Sequence, residues 1–167
     1  MELSKAQQLR IALFWPTFGE GGVERTGLRV ARELVRRGYP TEIVVARAVG
    51  PLAREVPEDI PVVDLGARLG KGQILSAVFP LAHYLRRSQP QVLWSHMTEA
   101  NVIAVMAKLL AGYRGWHIVS EHSTLSARIR RRRRKQLLPL LVRLGYRFAD
   151  RVHAVSHGVA DDLAQAG

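Results

Sequence analysis

The chain has 167 residues, 47% of them hydrophobic and 23% charged, which suits one soluble globular domain with a buried core. It contains no cysteine, which excludes disulfides, thiol catalysis and cysteine-ligated metal, and its longest apolar stretch, 102–107, meets Lys108 well short of membrane-spanning length. The net charge of +11 is local: ten Lys/Arg and one acid lie between Arg128 and Arg151, leaving +2 elsewhere, a pattern that favours one anionic contact over a general nucleic-acid coat.

After a tail over residues 1–8, whose Glu2 argues against a secretory signal, the apolar run 10–14 reads as a buried strand. Glu20-Gly21-Gly22 then forms a turn into an amphipathic helix over 23–37, with Gly38 placed to end it before Tyr39-Pro40. A strand, a glycine turn and a helix leave backbone N–H groups open at a helix N-terminus, an arrangement that binds phosphate. The spacing is neither the dinucleotide fingerprint nor a P-loop, and local sequence alone favours a plain tight turn at the two glycines. Further strands are expected at 41–46, 61–65, 91–94, 116–120 and 151–154, and the runs at Thr41 and Trp116 are continuous and β-branched, as in strands buried on both faces. Helical patterns occupy 73–87, 99–111, 130–148 and 156–166, while 47–60 carries no good helix and reads as a loop. Thr98 is placed to cap the third helix and Ser156 the last. Pro80 and Pro139 should kink or split the helices that contain them. Strand–helix repetition implies right-handed crossovers and an α/β fold: a Rossmann-like parallel sheet of five to seven strands with helices on both faces.

In such a sheet, ligands bind beyond the carboxyl ends of the strands. The loops there gather Glu20, His96, Thr98, Glu99, Glu121, His122, Ser123, Thr124, Ser156 and His157. A zinc site from His96, Glu121 and His122 has suitable ligand types but no recognised spacing, so no metal is expected. Neither Ser123 nor Ser156 sits in a nucleophile elbow.

The ordered set of motifs resembles the N-terminal domain of family-4-type GT-B glycosyltransferases: Gly21-Gly22-Val23-Glu24-Arg25 with Ala31 to Gly38, then His96, then Ser120-Glu121-His122-Ser123, then Ala149-Asp150 through Val155-Ser156 to Leu163. The resemblance runs from Leu9 to the end, so 9–167 is read as one acceptor-side domain, the N-terminal half of a GT-B fold whose donor-binding domain would follow. It implies transfer of a hexosyl-type sugar from a nucleotide-sugar donor to an acceptor, with retention of configuration, with no cofactor and no obligatory metal. The donor nucleotide would sit mainly on the second domain, so this chain alone would be inactive. By position, Gly21 and Gly22 would approach the donor phosphate, and His122 and His96 would face the reacting sugar or acceptor. Acceptor contacts would come from Glu20, Arg25, His96, Thr98, Glu99, Asn101, Glu121 and Ser123. Each has a bland alternative: capping or packing for His96, hydrogen bonding for His122, and a solvated ion pair for Glu24 with Arg25.

The run Arg130, Arg131, Arg132, Arg133, Arg134 and Lys135 admits three readings. It is a solvated surface segment, an anionic-lipid contact beside Leu137 and Leu138 that would place a cytoplasmic protein at the inner membrane face and suit a lipid-linked acceptor, or a nucleic-acid contact, the weakest because no aromatic residues interleave it. A non-catalytic Rossmann-like module using this run on anionic lipid or nucleic acid is therefore the competing function.

Overall fold

The computed structural model describes residues 9–68, 73–124 and 145–166. The tail 1–8, the run Arg130 to Lys135, Pro139 and all but the end of the helix expected over 130–148 lie outside these residues. The described elements are β1 (Ile11–Trp15), α1 (Gly22–Arg36), β2 (Thr41–Val45), β3 (Val62–Asp64), α2 (Val78–Ser88), β4 (Val92–His96), α3 (Thr98–Ala111), β5 (Trp116–Glu121), β6 (Arg151–Ala154) and α4 (His157–Ala166), with 3-10 turns at Pro51–Glu55, Gln73–Ala77 and Tyr146–Phe148. All strands pair in parallel, in the order β3-β2-β1-β4-β5-β6, so the expected α/β doubly covered sheet is what the chain forms.

The period of two along each strand sends alternate side chains into two cores. Ala12, Phe14, Val44 and Leu93 pack beneath α2 and α3, with Leu81, Leu85, Ile103 and Ala107 from those helices. Ile11, Leu13, Trp15, Ile43 and Val45 face the other way, against Leu28 and Ala31 of α1. All five residues of β1 are buried, as a central parallel strand covered on both faces requires.

Gly38 ends α1 as its position predicts: at φ 83° it lets its own N–H reach the carbonyl of Val35 at 2.8 Å and the Tyr39 N–H reach Leu34 at 3.0 Å, the paired closure of a Schellman motif. One local expectation holds and one fails. The helical pattern over 73–87 is split at Pro80: a 3-10 turn occupies 73–77, α2 starts at Val78, and Pro80 falls in its first turn, where no intrahelical N–H is needed. Thr98 is not a cap: α3 begins on it, the preceding Met97 takes φ 80°, and the Thr98 hydroxyl turns to a carboxylate on β5. Ser156 does cap α4, its Oγ accepting from the Val159 N–H at 3.3 Å.

Two glycines fix how closely elements approach. A Cβ on Gly27 would meet the Trp15 ring at 3.0 Å, so α1 lies directly on β1. Gly50 has φ 124°, and a Cβ there would lie 2.1 Å from the Phe18 carbonyl oxygen. Gly27→Ala should cost about 1–3 kcal/mol by overpacking, and Gly50→Ala more, because strain and a backbone clash coincide. Denaturant titration should show both as lowered midpoints at unchanged slope, Gly50→Ala the lower.

Candidate functional site

The sheet order reverses at β1 and β4, and their following connections leave toward opposite faces, which opens a crevice at their carboxyl ends. One lip is the loop 16–21. It is tied to the connection after β2, with the Phe18 N–H on the Val49 carbonyl at 2.9 Å, the Leu52 N–H on Phe18 at 3.1 Å and the Arg47 N–H on Pro16 at 3.1 Å. Phe18 is buried edge-on against Trp15, with ring centres 6.2 Å apart. Gly21 is the N-cap, extended at φ −69° and ψ 161° with no side-chain cap, and the first intrahelical bond runs from the Arg25 N–H to its carbonyl at 3.2 Å. The N–H groups of Gly22, Val23 and Glu24 therefore precede the first intrahelical donor.

The two glycines of this turn differ. A Cβ on Gly21 would lie 2.5 Å from Glu24 Oε2, and one on Gly19 would lie 2.9 Å from Oε1, so the protein's own carboxylate fills the space over those residues. A Cβ on Gly22 would meet no described atom within 4 Å. Glu24 is thus no solvated partner of Arg25: it is buried against the turn, and Arg25 extends to Glu55 at 3.9 Å with both side chains half exposed. The position three residues after an N-cap is where a carboxylate folds back over the helix start, and the turn's missing side chains make room for it. Glu20 is exposed beside the turn.

The other lip is built from β4, β5 and β6. His96 ends β4, is 2% exposed, stacks on Trp94 at 5.4 Å and meets the edge of Trp15 at 6.0 Å. Its Nδ1 lies 3.3 Å from Nε2 of His122, the residue after β5. Burial, then the proximity of His122 and His153, holds the His96 pKa down at about 3; burial, then His153, lowers that of half-buried His122. His153 was given no role by sequence. Its signal was the alternation of β6, which pairs it with Ser120 and so with the face that carries His96. A chain of contacts ties it to that face: the Trp94 indole N–H donates to Ser120 Oγ at 2.7 Å, and Ser120 Oγ lies 3.1 Å from His153 Nδ1.

Thr98, Asn101 and Glu121 come together on the opposite face of the sheet. Glu121 accepts from the Thr98 hydroxyl at 2.9 Å, from Asn101 Nδ2 at 3.2 Å and from the Tyr146 hydroxyl, and Asn101 also reaches the Ser120 carbonyl at 2.9 Å. This buried carboxylate joins β5, the start of α3 and the Tyr146–Phe148 turn; Tyr146 was read as plain helix in the sequence. Glu99 is half buried and Ser123 exposed. At the far end of the same face, buried His117 holds Ser95 Oγ at 2.9 Å through Nε2, and burial keeps its pKa near 3. Among the described residues no group of three His, Asp or Glu is arranged to hold a metal ion, and no helix is long and apolar enough to cross a membrane.

A family model described as Glycosyltransferase Family 4 matches residues 20–167. Similar solved structures include HepE from Anabaena in complex with UDP-glucose, 20% identical with TM-score 0.71 over 95% of this chain and 40% of that one. Sucrose-phosphate synthase from Thermosynechococcus elongatus is 12% identical with TM-score 0.75 over 93% and 44%, and the lipopolysaccharide outer core galactosyltransferase WaaB in its apo form is 16% identical with TM-score 0.71 over 95% and 42%. At these identities the likeness is one of fold. This chain spans about two fifths of the length of those structures. No curated protein sequence matches significantly.

The buried histidines make stability fall in acid. Unfolded His96 and His117 take up a proton near pH 6.5, whereas the folded chain refuses one until about 3, so the unfolded state binds more protons throughout that window. Stability should be flat above pH 6.5 and fall by about 1.4 kcal/mol per pH unit for each histidine below it. Unfolding free energies at pH 7 and pH 5 should therefore differ by about 2 kcal/mol for His117, a difference that His117→Asn removes.

Proposed function

The chain belongs to Glycosyltransferase Family 4, and we propose that it is the acceptor-side domain of a retaining glycosyltransferase that moves a hexosyl group from a nucleotide-sugar donor to an acceptor, the acceptor being lipid-linked. The observation that carries this reading is the open space at Gly22: a helix N-terminus without a side-chain cap at the sheet's switch point, with a glycine where no described atom stands in the way of a Cβ. Phosphate binding does require it, because a diphosphate oxygen can approach the N–H groups of Gly22 and Val23 only where no side chain intervenes. HepE was solved with UDP-glucose, which makes uridine diphosphate sugars the first donors to try.

In the transition state of sugar transfer the anomeric carbon gains positive charge and the leaving diphosphate gains negative charge. The fixed N–H groups at the start of α1 stabilise the second of these without reorganising. His122 faces the reacting sugar from the opposite lip, supported by His96, and Glu20, Arg25 and Ser123 border the acceptor path. Glu121, Thr98 and Asn101 shape the acceptor side by holding the start of α3 against β5, and Glu99 lies along the acceptor path. The nucleotide itself rests on a second Rossmann-like domain, so the 167-residue chain alone binds donor weakly and turns nothing over. No obligatory metal is needed when backbone dipoles and basic groups carry the diphosphate charge. The run Arg130 to Lys135 brings the enzyme to an anionic membrane surface where a lipid-linked acceptor resides.

Gly22→Ala tests the central point. Alanine improves the helix, so the melting temperature should hold or rise, while kcat/KM for nucleoside diphosphate release by the complete enzyme should fall at least tenfold. Unchanged kcat/KM would remove the turn from the donor site. Replacing Arg130 to Arg134 by Ser should abolish cosedimentation with anionic vesicles at low salt and leave turnover on a soluble acceptor intact; loss of both would make the run part of the catalytic domain's fold.

A further inference from the structure

We infer that His96 is a positioning residue that fixes the proton of His122 on Nδ1, so that His122 offers the crevice a hydrogen-bond donor and not a base. The inference deepens the reading of His122 given above, and its structural part stands without it.

A single hydrogen bond joins the two rings, His96 Nδ1 to His122 Nε2 at 3.3 Å, so one nitrogen carries the shared proton and the other accepts it. The second nitrogen of His96 decides which. His96 Nε2 is buried and has no partner among the described residues. Were the proton of His96 on Nε2, a buried N–H would stand without an acceptor, the rarer and costlier orphan. With the proton on Nδ1, the hydrogen bond is made and only a lone pair goes unused. His96 therefore donates, His122 Nε2 accepts, and the only proton of neutral His122 must sit on Nδ1.

The surroundings hold this arrangement. Trp94 and Trp15 clamp the His96 ring, so it cannot turn to exchange its nitrogens. Protonating His122 would set N–H against N–H unless His96 moved its proton to the orphaned position, a penalty that adds to burial and to the neighbouring His153 in keeping His122 neutral. Of the other titratable groups at these strand ends, His153 on β6 contacts Ser120 of β5, and Glu121 faces Thr98, Asn101 and Tyr146 on the opposite side of the sheet. The chemistry that follows is specific. Nδ1–H can donate to a sugar hydroxyl or a leaving-group oxygen, while the nitrogen that would abstract a proton from the acceptor is already occupied.

The test is a long-range ¹H–¹⁵N histidine side-chain spectrum of the 167-residue chain at pH 7. Both His96 and His122 should show a protonated Nδ1 and an unprotonated Nε2. His96→Phe should move the His122 proton to Nε2 and raise the pH at which His122 titrates, and His96→Asn, whose amide can donate from the same place, should restore the wild-type tautomer. A wild-type His122 protonated on Nε2, or one indifferent to His96→Phe, overturns the inference; the wild-type spectrum decides even if a variant fails to fold. In the complete enzyme, His96→Phe should lower kcat/KM and His96→Asn should return it. An enzyme that turns over no nucleotide sugar while showing the expected tautomer would refute the transferase reading and leave the role of His96 standing.

Discussion

Everything at the candidate site depends on the burial of β1 between β2 and β4. A parallel strand covered on both faces must send its backbone hydrogen bonds to two neighbours and its side chains into two cores, and Ile11 to Trp15 do both. Because the order of the sheet turns there, α1 leaves toward one face while α2 and α3 lie on the other. The carboxyl end of β1 is left facing the carboxyl end of β4, and Trp15 and His96, at those two ends, are within ring contact. The crevice is thus a by-product of chain topology, and the side chains that line it are those that happen to end central strands.

Within that frame, neighbouring residues of similar type carry different physical burdens. Gly27 is needed because a helix lies on an indole ring, Gly50 because of its backbone angle, and Gly21 because Glu24 folds over it, but a Cβ on Gly22 would meet no described atom. The histidines divide in the same way. His117 is locked to Ser95 inside one core, His96 is buried behind the crevice, His153 touches Ser120, and half-buried His122 touches His96. Asp150 joins the lower rim together: burial alone would raise its pKa, but Lys108 at 2.6 Å and the His117 N–H at 2.8 Å hold it below its ordinary value.

The sequence made the architecture legible because hydrophobic period and turn chemistry are local. Strand positions, the Schellman closure at Gly38 and the cap at Ser156 all follow from residues within one turn of each other. The misses arose where a partner that local preference does not name claimed a side chain. Thr98 has the composition of a cap, but Glu121, 23 residues away, claims its hydroxyl. Glu24 beside Arg25 suggests a surface pair, yet the glycine turn offers its carboxylate a better place. The His96–His122 bond and the role of His153 depend on the register of β4, β5 and β6, which no spacing along the chain encodes.

The ties between the loop 16–21 and the connection after β2 also bear on motion. Phe18 is held through both its N–H and its carbonyl, by Val49 and Leu52, and Gly50 lets the two backbones meet without an intervening side chain. Loops that share main-chain hydrogen bonds open together or not at all, so the glycine turn and the Pro51–Glu55 segment form one cooperative unit of local unfolding. Arg25 and Glu55 join the same unit through their side chains. A change far from the crevice, on the outer surface of residues 47–55, is thereby transmitted to the mobility of the turn, making that surface a remote control on how readily the lip of the site gives way.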